Sequence, residues 1–293
     1  MLSLTHRRWC ATAAACVAML TALPALAEPA LWKATGPNGA TVYLFGTVHV
    51  LKKDTVWRSP KIEAAFKASD ALWEEVKDAD DPAAMQPLVL KYGVDAAHTL
   101  HSKLDDAGKA KLDSAALGLG LQPAQIDPLR PWMAALSFTV LPLIKAGYDP
   151  KSGVDVQLKA EAASEKKPLE AFETIEQQVR YFADLPQDIE VQYLMATLDE
   201  AGKGTTELDG MVDAWTAGDL PRLETLLNGD MRDKYPSLYK ILLVDRNQHF
   251  ANQIQTLLQG KGTVFVAVGA AHLAGPDSVQ ADLEKLGVKV ERQ

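Results

Sequence analysis

Two stretches far apart in the chain carry the same suggestive pattern. Residues 41–50 read TVYLFGTVHV and residues 263–273 read TVFVAVGAAHL. Each is an apolar, β-branched run closed by Gly-x-x-His, from Gly46 to His49 and from Gly269 to His272. A neutral imidazole can take a proton or bind a metal ion. Glycine lets the backbone turn sharply and approach a ligand closely. Either histidine alone is explicable as a satisfied loop or core residue; the repeated context singles them out. Carboxylates stand at the ends of two other strand-like runs, Glu74-Glu75 after ALW and Glu173 after PLEAF. In open α/β sheets, sites form just beyond the carboxyl ends of parallel strands. Parallel strands would therefore gather two imidazoles and two or three carboxylates at one edge.

A second group comes from LLVDRNQHFANQIQTLL. Leu243, Phe250, Ile254 and Leu257 share one helix face, with Asn247 on that stripe and Arg246 beside it. Buried polar groups need partners, so Arg246 either forms an internal salt bridge or reaches the acidic, histidine-bearing edge. His249 falls on the polar face. His98 and His101 lie at a polar helix start and form a minor metal candidate. There is no Gly-x-Ser-x-Gly elbow, no phosphate-binding Gly-x-x-x-x-Gly-Lys-Ser/Thr loop and no His-Glu-x-x-His helix.

The elements that must position these residues read as follows. LWKAT and TVYLFGT are strands joined by GPNG, a hairpin signal. Ser59 caps a helix opened by Pro60. ALWEEV and KPLEAF are short strands. SKLDDAGKAKLDSAALG places Ser102 and Asp105 at capping-box spacing, as TIEQQ does Thr174 and Gln177. TVFVAV is continuously apolar, the mark of a strand covered on both faces. The expected fold is α/β, a mixed or largely parallel sheet with flanking helices and a large helical insertion.

The first residues stand apart. Arg7 and Arg8 precede the apolar ATAAACVAMLTAL, too short to span a bilayer, and Ala25–Ala27 fits a cleavage site. Residues 1–27 read as a secretory signal peptide and 28–293 as the remaining domain, periplasmic or secreted. Both cysteines of the chain, Cys10 and Cys16, fall in that leader. The rest has no thiol, so a thiol nucleophile is excluded and any metal site must use His, Asp or Glu. The net charge of −8 over 293 residues becomes more acidic without Arg7 and Arg8. Its mixed signs argue against nucleic acid and anionic membranes as partners, and no later stretch is apolar enough to span a membrane.

In order along the chain, YLFGTVHV, SDALWEEV, GVDVQLKAEAASEKKPLEAFETIEQQ, RNQHFANQI and VFVAVGAAHLAGPDSVQADLEKLGVKV resemble the TraB/GumN (Tiki-like) family across nearly all of residues 28–293. The resemblance implies a metal-dependent peptidase using manganese or cobalt, although many members are uncharacterised. It implies His49, Glu75 and His272 as metal ligands and catalytic centre, with Glu75 chosen over Glu74 by register. Glu173, Arg246 and Asn247 become secondary. The mechanism expected is hydrolysis of a peptide or small-molecule substrate by water on a divalent ion, manganese, cobalt or zinc. Glu74 or Glu173 would serve as general base, Arg246 as oxyanion or substrate-carboxylate partner, and Asn247 as a substrate contact. A metal-free variant would let His49 activate water while Glu75 orients it. The alternative class is a binding protein holding haem, a peptide signal or a sugar-derived ligand in the same pocket, with His49 or His272 as axial ligand to haem.

Overall fold

The computed structural model describes residues 28–77, 81–201 and 206–293. The expected signal peptide, residues 1–27, lies outside them. The described residues hold six strands: β1 (Leu31–Thr35), β2 (Thr41–Thr47), β3 (Ala71–Val76), β4 (Leu169–Glu173), β5 (Thr263–Gly269) and β6 (Val290–Arg292). They form one mixed sheet in the order β4-β3-β5-β2-β1-β6. β1 and β2 are the expected antiparallel hairpin around GPNG, and β6 adds antiparallel to β1. β2 in turn pairs parallel with β5, and β5, β3 and β4 continue in the same direction.

The two Gly-x-x-His strands are direct neighbours. β2 and β5 pair over seven residues, from Thr41 opposite Thr263 to Thr47 opposite Gly269. The expectation that these strands share an edge is met by hydrogen bonding between them. The turns beyond them touch: a Cβ on Gly46 would lie 3.1 Å from the Ala270 Cα. Trp215 Nε1 donates to the Gly46 carbonyl at 2.8 Å from within the core.

Period-two alternation along the strands feeds two cores. Phe45, Leu72, Phe265 and Ala267 point to one face, where the helices Pro60–Lys67, Val154–Ser164 and Thr206–Thr216 cover them with Phe66, Leu158 and Trp215. Leu44, Val266, Val268 and Phe172 point to the other, packed by Phe250, Ile254 and Leu283 of the helices Asp245–Leu258 and Val279–Lys285. Coverage on both sides explains why β5 reads as an unbroken apolar run.

The helical insertion is built from two chain segments rather than one. Pro131–Lys145, between β3 and β4, packs against Gln187–Ala201, between β4 and β5, through Ala134, Phe138 and Leu194. Helical periodicity shows which face is apolar but not which helix will cover it. Ser59 and Thr174 cap their helices as expected. Ser102 does not: it lies in a separate 3-10 turn, His101–Lys103, and Asp105 caps the helix Asp106–Leu119 by accepting from the Gly108 N–H at 2.7 Å. No helix among the described residues is long and apolar enough to cross a membrane.

Phe265 is fully buried between Phe45 and Phe66, with ring centroids at 5.8 and 5.4 Å. Phe265→Ala removes that contact at the centre of the sheet. We expect a loss of about 3–5 kcal/mol, measured by urea denaturation followed by tryptophan fluorescence.

Candidate functional site

Parallel pairing brings the carboxyl ends of β2, β5, β3 and β4 to one edge. His49 lies two residues past β2. His272 lies in the 3-10 turn Ala270–Leu273 that continues β5. Glu75 is the penultimate residue of β3 and Glu173 the last of β4. Glu74, one residue earlier than Glu75, points to the opposite face of the sheet.

Gly269 marks the point of convergence. A Cβ there would sit 3.1 Å from Glu75 Oε1, 3.5 Å from His49 Nε2 and 3.7 Å from His272 Cδ2. The glycine leaves open the small space toward which all three side chains turn. Its N–H donates to Glu75 Oε1 at 2.7 Å.

Arg246 holds the acidic side together. It enters from the first turn of the helix Asp245–Leu258 and is buried. Nε and Nη2 donate to the two oxygens of Glu173 at 2.9 and 2.8 Å, and Nη2 also reaches Glu75 Oε2 at 2.6 Å. Nη1 donates to the Leu242 carbonyl. The guanidinium carbon lies 5.4 Å from the ring centroids of both Tyr181 and Phe250. Gln178 adds a donor to Glu75 Oε2 at 3.1 Å. Burial alone would raise the Glu75 carboxyl. The imidazole and guanidinium groups around it, with the Gly269 N–H, outweigh burial and hold it far below the usual carboxylate range.

The two histidines are braced differently. Asn247 Nδ2 donates to the Asp277 carbonyl at 2.6 Å, which turns its Oδ1 toward His272 Nδ1. That oxygen only accepts, so His272 carries its proton on Nδ1 and a lone pair on Nε2. Burial pushes His272 down to about 4, with Arg246 and His49 adding to the effect against the pull of Glu75. The ring is therefore neutral at pH 7. Its Nε2 faces Glu75 Oε1 at 3.5 Å, so two electron-pair donors confront each other across the space beside Gly269. His49 is open to solvent, with its side chain 65% exposed, and Nδ1 meets Asp155 Oδ1 at 3.1 Å. Desolvation on its inner side opposes a charge. The hydrogen bond and charge of Asp155, with the charge of Glu75, outweigh it and raise His49 to about 9.

His49, Glu75 and His272 thus line one small space beside Gly269, with Arg246, Glu173 and Asn247 packed behind them. Glu173 is nearly sealed, with 1% of its side chain exposed and both oxygens on Arg246. That places it to hold a cation rather than to face a water. Asn247 likewise spends its amide on Asp277 and His272. His249 is exposed and bonds Gln253. His98 and His101 belong to the helical region, where His101 lies between Asp113 and Asp127 at 2.8 and 2.5 Å. Sequence reasoning missed Asp155, Gln178 and Tyr181. Asp155 and Gln178 lie in the middle block of the resemblance, but only the folded chain shows what they touch. Among the described residues, no three His, Cys, Asp or Glu side chains form a closed ligand cluster.

A mixed α/β sheet in which two neighbouring Gly-x-x-His strand ends adjoin a carboxylate held by a buried arginine defines the class. The chain belongs to the TraB/PrgY/gumN family, whose profile matches residues 30–292. It is similar to the uncharacterized protein YbaP of Escherichia coli (strain K12), with 25% identity over 243 residues, covering 82% of this chain and 87% of YbaP. YbaP of Shigella flexneri is similar to the same degree. No solved structure matches.

Replacing Arg246 by Met keeps the bulk of the side chain and leaves the buried Glu173 and the part-buried Glu75 without their cation. We expect a loss of about 3–5 kcal/mol, read from urea denaturation at pH 7. A variant as stable as wild type would show that the pair contributes nothing to the fold.

Proposed function

We propose that this chain is a metal-dependent hydrolase whose centre is His49, Glu75 and His272. The observation that carries the reading is the opposition of His272 Nε2 and Glu75 Oε1 at 3.5 Å. Two lone-pair donors at that separation repel unless a positive centre lies near both. His49 Nε2 turns toward the same space, which only a glycine at position 269 leaves open. Two imidazoles and a carboxylate are a donor set suited to manganese, cobalt or zinc. The surrounding charge fits as well: Glu75 and Glu173 share the Arg246 guanidinium and Asp155 holds His49, so an ion that displaces the His49 Nε2 proton meets three carboxylates and one guanidinium.

A divalent ion bound there would supply a water acidified toward a pKa of about 7 and a polarised substrate carbonyl. The chain's own residues do the positioning. Arg246 and Gln178 hold Glu75 Oε2, which leaves Oε1 directed at the space beside Gly269. Asn247 keeps the His272 proton on Nδ1. Glu173 anchors Arg246 rather than acting as a base. Substrate approaches past His49, the solvent-open member of the three. The family resemblance supports a peptide substrate, and the signal-peptide pattern of residues 1–27 supports a periplasmic or secreted setting. Haem binding is less well supported, because both imidazoles adjoin carboxylates instead of an apolar slot.

The test is isothermal titration of chelator-treated protein, residues 28–293, with Mn²⁺, Co²⁺ and Zn²⁺. We expect one ion per chain, and a loss of affinity in His272→Ala and Glu75→Gln above the roughly 10–100-fold that losing only a ligand's outer partner costs. Metal-dependent cleavage of an unstructured protein substrate should vanish in the same variants. If all three proteins bind metal equally, the assignment is wrong.

A further inference from the structure

We infer that Asp155 is the positioning residue for His49: it fixes the ring so that Nε2 faces Glu75 and Gly269. The inference rests on the reading of His49 as a metal ligand and adds a residue to it. An ionised carboxylate only accepts hydrogen bonds, so at the 3.1 Å contact His49 Nδ1 is the donor. With Nδ1 committed to Asp155, Nε2 is the nitrogen left for an ion, which would bind it by displacing its proton, and it is the nitrogen 3.5 Å from the Cβ position of Gly269.

The backbone is built around this contact. Asp155 lies in the first turn of the helix Val154–Ser164, and that helix starts directly on the His49 turn. The Val154 N–H donates to the Val48 carbonyl at 3.0 Å. A Cβ on Gly153 would fall 2.4 Å from the His49 carbonyl oxygen, inside any permitted contact. Glycine at 153 therefore lets the helix start approach closely enough for Asp155 to reach Nδ1. The Leu51 carbonyl, pairing with the Asp149 N–H at 2.9 Å, ties the same two segments a little further on.

The other arm of the site repeats the logic with a different side chain. Asn247 accepts from His272 Nδ1 and leaves Nε2 free. Both rings are thus held at Nδ1 from a helix and present Nε2 to the same space. The fixed tautomer and orientation of a ligating histidine commonly come from such a partner, whose loss costs about 10–100-fold in metal affinity. His49 needs the brace more than His272 does. Its side chain is 65% exposed and the His272 side chain 5%, so packing restrains one ring and a single hydrogen bond restrains the other.

The test compares Asp155→Ala with Asp155→Asn. Asparagine presents an accepting oxygen at nearly the same place, as Asn247 already does for His272. We expect Asp155→Ala to weaken Mn²⁺ binding about 10–100-fold by calorimetry, Asp155→Asn to recover most of that loss, and both to melt close to wild type. In a crystal structure of metal-free Asp155→Ala, the His49 ring should rotate away from Gly269. An unmoved ring, or Mn²⁺ affinity unchanged in Asp155→Ala, overturns the role. If the wild type binds no divalent ion, the hydrolase reading fails, and the His49 orientation in that crystal structure still decides whether Asp155 holds the ring. Equal losses in both variants would show that the charge of Asp155 matters and that its accepting geometry does not, which also rejects the positioning role.

Discussion

The parallel pairing of β2 with β5 is the constraint on which everything else depends. Seven residues near the start of the described chain lie against seven near its end, so the sheet closes only when both termini are in place. The pairing sets Gly46 against Ala270 and brings both Gly-x-x-His turns to the same edge. A slip of one residue would turn every side chain of one strand to the opposite face. Phe265 and Val266 would exchange cores, and the turn carrying His272 would no longer meet the one carrying His49. Two aromatic-rich cores on opposite faces hold the register against that slip.

The second constraint is electrostatic. Two carboxylates at the ends of neighbouring strands, Glu173 buried and Glu75 part-buried, repel each other, and burying a charge without a partner is costly. Arg246 meets both with a planar fork, taking Glu173 through two bonds and Glu75 through one. The fork suits the task because it satisfies carboxylate oxygens in fixed directions, which an ammonium group does not. The outcome is asymmetric. Glu173 is sealed, while Glu75 keeps one oxygen pointed at the space beside Gly269. The fold thus converts a surplus of buried negative charge into one directed donor, with a neutral histidine opposite it.

Much of this arrangement is legible in the amino-acid sequence. The strand–Gly-x-x-His repeats mark His49 and His272 because apolar runs ending in glycine are locally encoded. The amphipathic stripe of LLVDRNQHFANQIQTLL marks Arg246 and Asn247 as polar groups facing the protein interior, and both are buried there. Strand alternation separates Glu74 from Glu75 only once the face carrying the site is known. Asp155 and Gln178 leave no comparable signal. Each is a polar residue in the first turns of a helix, a common place for one, and its partner lies about a hundred residues away in the chain. Ser102 misleads because capping-box spacing recurs by chance, and the Asp105 carboxylate, adjacent to the helix start, reaches the free N–H groups directly.

The sequence by itself determined the periodic elements, the apolar character of β5, the glycine-terminated strands and the chemical types available at their ends. Those follow from local steric and hydrophobic preferences, which act over a few residues. The tertiary structure decided which strands are neighbours, which carboxylate Arg246 seals and which it leaves directed, and which nitrogen of each imidazole faces the shared space. These depend on contacts between segments distant in the chain, where hydrogen-bond geometry and burial are fixed only after the sheet has closed.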